Sequence, residues 1–134
     1  MTAAEFRTLR EGLGLSQSDC ARLLTPPVAI RTIRYWESDG RGVPDGAASE
    51  LLALEAAVSH ETAKMLDAVL KSSLGGPHGQ PIVLTRHLGF ADFPDDLCTI
   101  YRHPRVYNAM IGRVWRELLE LKVPCRLISV GAGD

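Results

Sequence analysis

The chain is short of several things, and each shortage removes a class of function. Of its 134 residues only 6% are aromatic, and its 15 basic residues are 12 arginines and 3 lysines. No RNP-like aromatic pair occurs, so nothing provides the paired rings on which a single-stranded RNA reader stacks bases. Cys20, Cys98 and Cys125 are odd in number and far apart, with no C-x-x-C spacing. That predicts a reduced, intracellular chain with small buried thiols. His60, His78, His87 and His103 show no H-x-x-x-H spacing, and LGGPHGQ (74–80) lacks the G-x-x-x-x-G-K of a phosphate cradle. His103 lies near Cys98, but no oxyanion loop accompanies the pair. No metal, cofactor or catalytic activity is therefore expected. No run approaches 18 apolar residues, so no membrane partner is expected. MTAAEFRTLREG carries charge where a signal peptide needs an apolar run, which predicts a cytoplasmic protein. Formal net charge is -1, so any nucleic-acid binding must rest on a local patch.

What is present is helical periodicity. Hydrophobic residues make up 46% of the chain, enough for a core. Thr2 and Glu5 have capping-box spacing, and Phe6, Leu9 and Leu13 recur at helical intervals, predicting a helix over 3–11. Gly12 and Gly14 stop it. Ser16 and Asp19 repeat the cap logic for a short second helix with Cys20, Leu23 and Leu24 on its apolar face. Thr25, Pro26 and Pro27 form a turn, since proline disfavours helix in the residue before it. A third helix follows over 29–37, with Ile33 and Trp36 inward. Pro44 and Asp45 then open a long helix to about Ser73, striped by Leu51, Leu54, Val58, Met65, Val69 and Leu70. Its acids outnumber Lys64 and Lys71 and should face away from DNA. After LGGPHGQ the texture changes. PIVLTRH and CRLISV (125–130) alternate like strands, a short helix runs over 93–100, and a strong one over 105–121.

Short helix, glycine turn, capped helix, turn, third helix is the order of a helix-turn-helix. In LREGLGLSQSDCARLL (9–24) and TIRYWESDG (32–40) the residues resemble the repressor-like Cro/XRE family of regulators. The resemblance implies that Gln17 opens the second helix and holds a phosphate, and that Ala21 lies at the close helix contact. It implies that Ile33, Trp36 and Glu37 close the third helix, with Glu37 paired to Arg10. The TPPVA turn is about two residues longer than the family's Gly-Val-Ser type.

On this reading Arg31, Arg34 and Tyr35 reach bases from the third helix, with Ile30 where the family places a polar base reader. An arginine fork can take guanine O6 and N7 together. Thr32 would contact phosphate, as would Ser18 and Gln17 at the start of the second helix, where free amides favour anions. Arg41 follows the third helix and would hold the backbone. Arg22 serves either phosphate or solvent. A solvated helix face would also carry Arg31 and Arg34; the surrounding pattern favours DNA.

RTIRYWESDGRGVPDGAASELLALEAAV (31–58) looks like small regulators in which a YWESG…VPD segment feeds one long helix and a short α+β tail. That group includes autorepressors encoded beside anti-CRISPR genes. The expected architecture is mainly α: a repressor-like helix-turn-helix bundle with a long helix (1–73) and a small α+β dimerisation region (74–134). Two strands alone make no stable sheet, so PIVLTRH and CRLISV should pair with each other or with a second copy. Met110, Val114, Trp115 and Leu118 are the expected dimer face. The expected function is a homodimeric repressor on an inverted-repeat operator. The alternative is an antitoxin that binds both a protein toxin and its operator; a transcript is a third partner class.

Overall fold

The first helices are set by their caps. In the computed structural model, which describes residues 1–38, 42–75 and 81–131, α1 spans Ala3–Gly12. The Thr2 hydroxyl accepts from Glu5 N–H at 3.1 Å, and the Glu5 carboxylate accepts from Thr2 N–H at 3.0 Å. Two otherwise orphan donors are satisfied reciprocally. Gly14, at φ +75°, turns the chain out of α1, a conformation that favours glycine. A second reciprocal box, Ser16 with Asp19, opens α2 (Gln17–Leu23). The turn into α3 (Ile30–Ser38) is held by Val28 N–H donating to the Ala21 carbonyl at 2.9 Å. The long helix α4 runs Asp45–Gly75.

The chain divides into two compact units, Met1–Ala57 and Val58–Asp134, and α4 contributes to both. The first unit closes over Phe6, Leu13, Leu15, Cys20, Leu24, Ile33, Leu51 and Leu54, all buried. The apolar stripes of its helices meet there, so packing rather than intrinsic propensity stabilises three helices this short. Burial pushes the Cys20 thiol up to about 11, so it is an inert packing group.

The second unit contains β1 (Ile82–His87), α5 (Asp95–Tyr101), α6 (Pro104–Glu120) and β2 (Cys125–Val130). The strands pair with each other, in parallel, from Ile82 opposite Cys125 to His87 opposite Val130. Parallel neighbours need a crossover, and α5 with α6 supplies it. The fold is thus mainly helical with a small two-stranded parallel sheet toward the C-terminus. His103 starts α6: its Nδ1 accepts from Arg105 N–H at 3.0 Å, and Pro104 takes the first turn, where no donor is needed. The histidine beside Cys98 is therefore a helix cap. Asp95 and Asp96 lie in the first turn of α5, where the helix dipole favours acids.

The wide apolar face of α6 is covered within the chain. Val106, Met110, Ile111, Val114 and Leu118 are all buried, against β1, β2 and α5. An aromatic cluster completes this core. Tyr107 sits edge-on to His87, Phe93 and Tyr101 at centroid distances of 5.3, 5.8 and 5.1 Å. This corrects the expected dimer face. Met110, Val114 and Leu118 have no exposed surface to offer a partner, and of that set only Trp115 stays half-buried. Leu119, next to buried Leu118 in sequence, is 48% exposed. Among the described residues no helix is long and apolar enough to cross a membrane.

Met110→Ala should lower unfolding free energy by about 2–5 kcal/mol, because it empties a fully buried site. Leu119→Ala should cost less than about 1 kcal/mol. Urea titration followed by circular dichroism checks both. Equal losses would contradict the assignment of α6 faces.

Candidate nucleic-acid interface

The three short helices are joined at one carboxylate. Arg10 of α1 donates from Nε to Glu37 Oε2 at 2.6 Å and from Nη2 to Oε1 at 2.9 Å. Its Nη1 donates to the Leu15 carbonyl in the α1–α2 turn at 2.8 Å. The side chains of Arg10 and Glu37 are only 9% and 4% exposed. A charge removed from water to this degree needs its partner and its hydrogen bonds. The guanidinium fork supplies both in two-pronged form. Burial pushes the Glu37 carboxyl up. The hydrogen bonds from Arg10 and Gln17 more than offset this, and its pKa lies below the ordinary value. The hydrogen bond to Glu37 holds Arg10 above its own ordinary value despite burial.

From that pair a polar chain leads outward. Gln17 donates from Nε2 to Glu37 Oε1 at 3.3 Å, and Arg34 Nε donates to Gln17 Oε1 at 3.4 Å. Gln17, expected on phosphate, thus bridges the buried carboxylate and an exposed arginine. Its amide has a second N–H with which to meet an anion. Ser18 is half-buried at the same helix start. The Asp19 carboxylate of the capping box already supplies negative charge there, which weakens the local attraction for phosphate.

α3 presents two different faces. Ile33 is fully buried, and Trp36 is half-buried, edge-on to Phe6 at 5.7 Å and 85°. Ile30, Arg31, Arg34 and Tyr35 are exposed, and Thr32 is half-buried. Arg22 on α2 is exposed as well. Among the described residues neither Arg22 nor Arg31 is held in an ion pair. The structure thus brings Gln17 and Arg34 into contact, with Arg22 and Arg31 exposed beside them. Arg41 lies outside the described residues.

Sequence reasoning missed one anchor of this face. Thr25 N–H donates to both Glu50 carboxylate oxygens, at 3.1 and 3.0 Å, tying the α2–α3 turn to α4. The signal was Pro26 and Pro27, which have no N–H and so leave Thr25 as the donor ahead of them. Among the described residues no group of three His, Cys, Asp or Glu side chains could hold a metal ion. No protein-family model matches the chain, and no curated protein matches it.

Glu37→Ala should destabilise the protein by about 3–5 kcal/mol, because it strands a buried guanidinium. Replacing both partners by apolar residues, Arg10→Met with Glu37→Leu, should recover most of that loss. The native carboxyl lies below its unfolded value of about 4.3. Its contribution is therefore present in full above that pH and is lost as pH falls through the folded value. The stability gap between wild type and Glu37→Ala should shrink accordingly between pH 5 and pH 3. A gap constant over that range would contradict the linkage.

Proposed function

We propose that the protein is a sequence-specific DNA-binding transcriptional regulator, a cytoplasmic homodimer that represses by covering a promoter, in many cases its own. The observation that carries this reading is the split character of α3. Ile33 and Trp36 anchor it, and Glu37 is locked to Arg10, while Arg31, Arg34 and Tyr35 stand exposed on its other side. A helix held this firmly and carrying forked donors outward suits major-groove readout. The resemblance of 9–24 and 32–40 to Cro/XRE regulators supports the same reading, and so does the similarity of 31–58 to anti-CRISPR-associated autorepressors. The acidic Glu37, which would repel phosphate if free, is neutralised by its partner. In a two-fold dimer two such helices would sit about one DNA turn, roughly 34 Å, apart over an inverted repeat.

Selection of duplexes from a random pool at about 150 mM salt, where non-specific phosphate binding is weakened, should enrich an inverted repeat. On that duplex Arg31→Ala and Arg34→Ala should each weaken binding about 10- to 100-fold without changing oligomeric state. No enrichment, or unchanged affinity in both variants, would defeat the proposal.

A further inference from the structure

The direction of every backbone group in the small sheet follows from its ladder. Ile82 N–H donates to the Pro124 carbonyl at 2.9 Å, and Leu88 N–H donates to the Val130 carbonyl at 3.0 Å. In a parallel ladder the N–H and C=O of one residue point to the same side, and the side alternates along the strand. With Ile82 in register with Cys125, even-numbered residues of both strands face each other. Odd-numbered residues direct their backbone groups away from the partner strand.

The two outer edges then differ. On β1, the outward His87 N–H donates to Asn108 Oδ1 at 2.8 Å, and Asn108 Nδ2 donates to the His87 carbonyl at 2.7 Å. A side chain of α6 thus clamps the His87 end of that edge, while the outward groups of Val83 and Thr85 meet no other strand among the described residues. On β2, the outward groups belong to Cys125, Leu127 and Ser129, and among the described residues no other strand pairs with that side. Two devices that blunt a strand edge, proline and lysine, are missing too. CRLISV contains no proline and no lysine, and Arg126 is its only charge. Ile128 is 44% exposed on the same strand, and Val83 is 55% exposed on its neighbour.

We infer that β2 is the dimer contact: it pairs antiparallel with β2 of a second copy about a two-fold axis, making one four-stranded sheet. This rests on the homodimer proposed above and names its surface. The segment is self-complementary in the register that places Leu127 opposite its own counterpart. Cys125 then faces Ser129 of the second copy, and each of the three outward residues gives and receives one backbone hydrogen bond. On the other face Arg126 lies opposite Ile128, so no charge falls directly across from a like charge. The two Ile128 side chains become diagonal neighbours and cover each other. The two Arg126 side chains take the other diagonal, where their length carries the charge to solvent.

The register is tested by Ser129→Cys in the full-length chain. Under mild oxidation it should run as a disulfide-linked dimer on a non-reducing gel, because Cys125 of each copy faces the introduced thiol of the other. Wild type, and Ser129→Cys combined with Cys125→Ser, should not crosslink, since like positions lie about 13 Å apart along the strands. Ser129→Pro removes one outward donor and leaves the ladder to β1 intact. It should shift the light-scattering mass at micromolar concentration from dimer to monomer, with unchanged helical circular dichroism. A wild-type chain that is monomeric alone would overturn the inference and leave the edge to an extended segment of another protein. A wild-type dimer that survives Ser129→Pro, with no crosslink in Ser129→Cys, would overturn the β2 contact alone. A failed duplex selection beside an intact crosslink would defeat only the DNA reading.

Discussion

The architecture of the first unit depends on one buried ion pair. Glu37 stands near the end of α3, and the groups that reach it come from α1 and from the first turn of α2. Helices of seven to ten residues do not persist alone in water, so their relative placement must come from contacts between them. Apolar packing on Phe6 and Ile33 supplies attraction but little orientation. The two-pronged Arg10–Glu37 contact supplies orientation, because a planar fork meets a carboxylate in one geometry. Its third arm, to the Leu15 carbonyl, fixes the turn that launches α2.

The same carboxylate links the interior to the exposed side of α3. Through Gln17 it is one side chain removed from Arg34. An arginine that reads a base works best when its head is already aimed, since less conformational freedom is then lost on binding. On the proposed function Gln17 acts as much by holding Arg34 as by meeting a phosphate. Glu50 does comparable work on the far side of the turn, where its carboxylate restrains the backbone ahead of the two prolines. A protein with a net charge of -1 cannot rely on bulk attraction to nucleic acid, so precise placement of a few arginines matters more.

How much of this was legible varied with the kind of signal. The caps could be read directly, because Thr2 with Glu5 and Ser16 with Asp19 are local patterns whose physics is complete within four residues. The long helix, the two strands and α6 followed from periodicity. The Arg10–Glu37 contact spans 27 residues and became visible only through resemblance to a family. What covers the α6 stripe is not written in the sequence. Periodicity tells that Met110, Val114 and Leu118 are covered, but not by what. The cover is the chain's own β1, β2 and α5, helped by the ring cluster around Tyr107. None of those rings signals its partners in sequence. The Asn108 clamp on His87 was equally invisible, because an isolated asparagine within a helix carries no pattern.

That clamp bears on how far self-assembly can go. A sheet with two open edges adds copies at both and grows into a fibre. A sheet with one open edge stops once that edge meets its own image. By holding both outward backbone groups of His87, Asn108 makes that end of β1 a poor template for another strand. On the inferred β2 contact, this amide guards the His87 end of the opposite edge against a further strand.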